Sequence, residues 1–182
     1  MDFSWEFLEH LLVEIRKATL SDVTALSDLA IRSFMPAHGH SSPAEDMSTY
    51  VQSNFSASQL HSKIEDITNT FFILFDNEKM IGYYKINLNL ASSMISSKEV
   101  TYMSRLYVLP DYYGKGAGKK LVEHAIDIAK KNKQLGMWLK VWTENHRAIR
   151  FYKKQGFEIL GEELFKISET HSNPNYVMYL PF

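Results

Sequence analysis

The segment that most constrains this chain runs from Arg105 to Leu121. Apolar Leu106-Tyr107-Val108-Leu109 leads into Pro110, then into glycines at 114, 116 and 118, then into the first turn of an amphipathic helix. Glycine lacks Cβ and tolerates positive φ, so such a loop can bring successive N–H groups up against a ligand oxygen. A helix that starts directly after the loop adds unpaired N-terminal amides and the positive end of its dipole. Lys115, Lys119 and Lys120 lie in or just after the loop. Strand, glycine loop and helix together predict a cradle for a multiply charged anion.

Spacing sets aside two familiar glycine loops. A P-loop requires four residues between its first Gly and the Gly-Lys pair, followed by Ser or Thr for magnesium; here Gly114 and Gly118 enclose three, and Lys120 follows Lys119. A dinucleotide fingerprint reads G-x-G-x-x-G, whereas this loop reads G-x-G-x-G. A second segment lies further along. Trp138-Leu139-Lys140-Val141-Trp142 alternates like a strand, and Glu144 to Phe157 reads as a helix stopped by Gly156 before another strand.

The loop resembles the acyl-CoA loop of the GNAT N-acetyltransferases, written Q/R-x-x-G-x-G/A, on Tyr113, Gly116 and Gly118. Tyr113 stands where Gln or Arg is usual. The run from Asn145 through Phe151-Tyr152 to Gly156-Phe157 resembles the Asn-helix-Gly segment that closes over the CoA arm in that family. Ser42-Pro43 with Met47, Gln59-Leu60, Phe71-Phe72-Ile73, Ile81-Gly82-Tyr83 and Tyr176-Val177-Met178 look like a bacterial spermidine/spermine N-acetyltransferase of the PaiA type, over residues 14–180. Such proteins often place acidic residues just before the position of Arg105; this chain has Tyr102 and Ser104 there.

The resemblance implies a mixed α/β (α+β) fold: a mostly antiparallel sheet of six to seven strands, flanked by helices and splayed between its fourth and fifth strands around acetyl-CoA. It implies transfer of the acetyl group to a primary amine, a polyamine such as spermidine or spermine, by direct attack in a ternary complex. By the same resemblance, backbone groups of Leu106, Tyr107 and Val108 hold the pantetheine arm and polarise the carbonyl. Tyr113, Gly114, Lys115, Gly116, Ala117, Gly118 and Lys119 form the phosphate cradle, and Lys154 is a further phosphate contact. Asn145 caps its helix, accepts the pantetheine amide, or does both. Tyr152 is the acid for the departing thiolate, since a phenol with a reference pKa of about 10 is protonated at neutral pH. Glu144, His146 and an ordered water chain are the open alternatives for the base. Glu45, Asp46, Glu65 and Asp66 would attract a cationic acceptor by charge complementarity. Two other readings stay open: a GNAT enzyme acting on a protein amine or another small amine, and a CoA-binding regulatory module without catalysis.

Composition fits one globular domain over 1–182, with 1–12 as an amphipathic helix or an extension: 45% of the 182 residues are hydrophobic and 23% charged. A net charge of −1 gives no reason to expect nucleic acid or a membrane surface as partner. The absence of cysteine excludes disulfides, zinc-thiolate sites and a cysteine nucleophile. His38, His40, His61 and His171 have no i, i+4 ligand spacing, so no catalytic metal is expected. With neither a signal-like start nor a stretch of membrane-spanning length, a cytoplasmic location is expected. The aromatic tail Tyr176, Tyr179 and Phe182 and the expected edge strands make a homodimer an expectation.

Periodicity predicts strands over 13–18, 70–75, 80–90, 99–109, 137–142, 157–167 and 176–180. Helices are predicted from the Ser21-Asp22 cap to Phe34 and over 44–52, 58–66 and 116–131, with Met35 to Pro43 as a loop.

Overall fold

The computed structural model describes residues 13–182, so the helix or extension expected over 1–12 lies outside the described residues. Seven strands form one sheet in the order β1-β2-β3-β4-β5-β7-β6. They are β1 (Val13–Lys17), β2 (Thr70–Asp76), β3 (Lys79–Asn87), β4 (Thr101–Val108), β5 (Gly136–Trp142), β6 (Glu158–Lys166) and β7 (Ser172–Pro181). The helices are α1 (Val23–His38), α2 (Ala44–Phe55), α3 (Ala57–Glu65), α4 (Ala117–Lys131) and α5 (His146–Lys154). Among the described residues no helix is long and apolar enough to cross a membrane.

Central strands are buried on both faces, and their alternation sorts side chains between two cores. On β2, Phe71, Ile73 and Phe75 join Val23, Leu26, Leu29, Ala30 and Phe34 of α1, Met47 and Phe55 of α2 and Leu60 of α3. Leu74 of the same strand points the other way, into a core with Leu121, Val122, Ala125 and Ala129 of α4 and Tyr152 of α5. Burying each such aliphatic or aromatic side chain contributes on the order of 1.5–3 kcal/mol before conformational entropy is counted. Ile126 of α4 packs at the margin of this core and is only half-buried.

The end of α1 departs from the sequence expectation. Met35 to His38 continue α1 rather than opening a loop, and the helix runs through Pro36. A proline inside a helix forfeits one backbone bond. Pro36 lies on the exposed side, where water can satisfy the freed carbonyl, and the residues after it gain contacts: His38 stacks on Phe34 with ring centroids 4.7 Å apart. Gly39 N–H closes the helix on Met35 O at 2.8 Å. Among the other elements, α2 extends three residues past the expected end at Gln52 because Phe55 packs into the α1 core.

The feature that makes a site is the fork between β4 and β5. These strands run parallel and pair only at Thr101 with Met137 and Tyr102 with Trp138. Tyr102 stacks on Trp138 at 4.0 Å and 17°, pinning the base of the fork, and Trp138 Nε1–H donates to Leu90 O at 2.7 Å. Just beyond, the β3–β4 register jumps from Lys85 opposite Arg105 to Ile86 opposite Met103, leaving Ser104 as a bulge. A bulge adds a residue to one strand and bends it, which carries the rest of β4 away from β5.

Candidate active site

Past the fork, β4 keeps its antiparallel pairing with β3 as far as Val108 opposite Gly82, but has no partner on the β5 side. The polar backbone edge of Met103 to Val108 therefore faces a cavity of about 390 Å³ between β4 and β5. An unpaired strand edge in a slot matches an extended ligand that carries amide groups of its own. Leu106, Tyr107 and Val108 all line it.

At one end of the cavity sits the glycine loop. Gly114 and Gly116 hold φ of 74° and 80°, left-handed conformations that disfavour any residue with a Cβ. The first intrahelical bond of α4 runs from Lys120 N–H to Gly116 O at 3.0 Å, so the amides of Ala117, Gly118 and Lys119 have no partner in the helix. Gly114, Gly116, Gly118 and Lys119 line the cavity here. Those free amides, with the helix dipole, fit a pyrophosphate.

Three residues assigned to cofactor binding do not line the cavity. Lys115 is exposed at the outer side of the loop, its Nζ 5.7 Å from the centroid of the Tyr112 ring. The side chain of Ala117 is buried in the core under α4, leaving only its backbone amide for a ligand. Lys154 is exposed in the last turn of α5, whereas the cavity is met by the first turn and inner face of that helix. The cation that α5 does supply is Arg147, which lines the cavity and lies over Tyr113 with its guanidinium carbon 3.5 Å from the ring centroid. Sequence reasoning missed it because the two residues lie on separate elements. The departure at Tyr113 was the signal that could have found it.

Asn145 caps α5, its Oδ1 accepting from Ala148 N–H at 3.1 Å, and also lines the cavity. Tyr152 is 8% exposed and faces the same space. Burial pushes its hydroxyl well above the usual phenol range, so it holds its proton across the physiological range. Glu144 and His146 are exposed at the start of α5 and do not line the cavity.

The far end of the cavity is walled by aromatic rings from four elements. Phe34 and His38 of α1, Tyr50 of α2, Tyr107 of β4 and Trp142 of β5 line it. His38 packs against Phe34, Tyr107 and Trp142, and burial lowers its pKa to about 4, with the charges of His40 and Arg147 adding to the effect. It is an uncharged ring at neutral pH. Among the described residues no Asp or Glu lines the cavity: Glu45, Asp46, Glu65 and Asp66 all lie outside it. Nor do three His, Asp or Glu side chains gather there, or elsewhere among the described residues, as a metal site would require.

A splayed β4–β5 pair, a glycine cradle at a helix start and a buried tyrosine facing the slot define an acyl-CoA-dependent transferase. The model of the acetyltransferase (GNAT) family matches residues 25–157, and the chain belongs to that family. It is an acetyl-CoA-dependent N-acetyltransferase. It is similar to an uncharacterised N-acetyltransferase of Mycobacterium tuberculosis, 29% identical over 159 residues that cover 87% of this chain and 97% of the relative. A spermidine N(1)-acetyltransferase of Thermoplasma acidophilum is 27% identical over 151 residues, covering 81% of this chain and 89% of that protein. The crystal structure of the PaiA N-acetyltransferase of Thermoplasma acidophilum in complex with coenzyme A superposes with a TM-score of 0.74 at 22% identity, over 93% of this chain and 99% of that one.

Proposed function

We propose that this chain, as a single domain over 1–182, acetylates the primary amine of a small acceptor by direct attack on acetyl-CoA in a ternary complex. Bound in the slot, acetyl-CoA supplies a thioester carbonyl open to attack by an amine. The observation that carries the reading is the unpaired edge of β4, which lies in one cavity with the glycine loop and a wall of aromatic rings. Amides along Leu106 to Val108 hold the pantetheine arm and polarise the carbonyl oxygen. The free amides of α4, with Lys119 and Arg147, neutralise the phosphates. Tyr152 gives its Oη proton to the sulfur as the C–N bond forms and the C–S bond breaks, and it takes back the proton that the attacking neutral amine sheds.

A polyamine acceptor draws support from the resemblance to PaiA-type enzymes and from the name of the Thermoplasma relative. The lining weighs against it: Arg105, Lys119, Lys140 and Arg147 are its charged members, and no carboxylate among the described residues lines the cavity beside them. Lys140 is neutralised outside the cavity by its ion pair with Glu163. A polycation gains nothing from such walls.

The test is release of free thiol from acetyl-CoA against a panel of spermidine, spermine, amino acids, simple alkylamines and lysine peptides. Turnover of any primary amine, with the N-acetylated product identified by mass, is the expected result. Binding of acetyl-CoA without turnover of any amine would replace this reading with a regulatory one.

A further inference from the structure

Arg105 lies on β4, one residue past the Ser104 bulge and one before the strand edge assigned to the acetyl group, and it lines the cavity. Its guanidinium is poorly satisfied. The Nη2 atom reaches Asn54 O and Oδ1 only at 3.4 Å each, and Lys63 Nζ competes for the same two oxygens at 3.2 and 3.3 Å. The Nη1 atom is buried without any partner, and the neighbouring Ser104 Oγ is also buried and unpaired. The ion pairs among the described residues include none to Arg105; the guanidinium carbon lies 4.5 Å from the centroid of the Phe55 ring, and the Tyr83 hydroxyl is a further neighbour.

Arg105 is half-buried, and a cation whose Nη1 is buried with no partner and no counter-charge is costly unless something brings the missing acceptor. The surroundings add to the imbalance. Lys63 and Lys85 are held down to about 8 by burial, and in both the charge of Arg105 is the next contribution. Repulsion among three cations is relieved by an anion placed between them and the cavity.

The acceptor carries that anion. We propose that Arg105 and Ser104 form a carboxylate subsite, so that the amine acetylated is that of a small amino carboxylic acid, its apolar body resting on the rings of Phe34, Tyr50 and Tyr107. The guanidinium supplies a planar donor suited to carboxylate oxygens, and the serine hydroxyl a second donor beside it. The bulge matters because it leaves Ser104 without a partner on β3 beside Arg105, and both residues line the cavity near the fork.

The inference rests on the acetyl-transfer reading above, and the experiment separates the two. Acetyl-CoA binding is measured first by calorimetry. Then kcat/KM is measured for matched pairs differing only by the carboxylate: phenylalanine with phenethylamine, leucine with isopentylamine. Spermidine and phosphoethanolamine are included. Wild-type protein is expected to prefer the carboxylate-bearing member by about tenfold or more, the usual weight of a charged hydrogen bond. Arg105→Gln is expected to erase that preference while leaving the KM for acetyl-CoA within about twofold, since the Arg105 side chain meets Asn54 and Phe55 of α2 rather than the glycine loop. The wild-type ratio alone decides the matter if the variant does not fold. Equal or better use of the decarboxylated amines, of spermidine or of phosphoethanolamine overturns the carboxylate subsite and leaves acetyl transfer standing. Failure to bind acetyl-CoA overturns both.

Discussion

The guanidinium of Arg147 lies over the ring of Tyr113, its carbon 3.5 Å from the ring centroid, and both line the cavity where the glycine loop begins. The GNAT motif usually has Gln or Arg at the position of Tyr113. Here a ring at that position holds an arginine delivered from α5, so a cation is restored from a different element. Both side chains line the cavity beside Gly114 and Gly116.

Removing either partner should weaken acetyl-CoA binding. Arg147→Ala is expected to raise the KM for acetyl-CoA about tenfold, the weight of one charged phosphate contact, and to flatten its dependence on salt. Tyr113→Ala, which frees the arginine without deleting it, is expected to cost about threefold, near the value of an exposed cation–π contact. Steady-state kinetics at two ionic strengths check both. An effect on kcat with KM unchanged would remove Arg147 from the phosphate end.

Gly116, at φ 80°, sets the direction of the α4 amides. Gly116→Ala forces a Cβ into the left-handed region at a cost of about 1–2 kcal/mol. Relief by local rearrangement would turn the amides away from the phosphates. Thermal melting should therefore drop by a few degrees, and the stabilisation that acetyl-CoA confers on the melt should largely vanish. A full ligand-induced shift in the variant would show that the loop conformation does not matter for binding.

Tyr152→Phe deletes one oxygen from a side chain packed in the core with Ile149 and Phe157. The ring stays, so stability should change little. kcat is expected to fall about 100-fold, within the usual span for general acid catalysis, with acetyl-CoA affinity unchanged. Because burial raises the tyrosine pKa, its deprotonation cannot account for a basic limb below pH 10. Equal turnover in the variant would remove Tyr152 from the acid role.

Arg16 and Asp22 tie β1 to the start of α1 through two bonds of 2.8 Å, and Asp22 accepts a further bond from Thr19 N–H at 2.8 Å. The Arg16 hydrogen bonds, followed by those from Thr19, lower the Asp22 pKa from 3.8 to about 2. Such a depressed carboxylate contributes stability that is complete above its unfolded value and lost as pH falls through its folded one. Asp22→Asn should thus lower stability by about 2 kcal/mol at neutral pH. In urea melts the gap between wild type and variant should close between pH 4 and pH 2. A gap independent of pH over that range would place the effect in packing.

Local signals carried much of the architecture. The apolar run of β2, the alternation of β5, the apolar stripe of α4 and the glycines at 114, 116 and 156 each constrain only their own few residues, and local pattern reads them directly. The end of α1 escaped that reading. Pro36 and Gly39 are breakers by local rule, and only the stacking of His38 on Phe34 holds the helix past them.

What the sequence alone determined, then, is the order of strand, glycine loop and helix, because that order is dictated within a dozen residues, while the acyl-CoA chemistry was legible through the likeness of that loop to a family motif. What only the tertiary structure decided is the charge and shape of the chamber where the acceptor enters. Arg105 meets Asn54 and Phe55 across a gap of some fifty residues, Arg147 meets Tyr113 from another element, and the acidic residues of α2 and α3 end up outside. Electrostatic complementarity is set by distances between chain segments, and those distances come from packing.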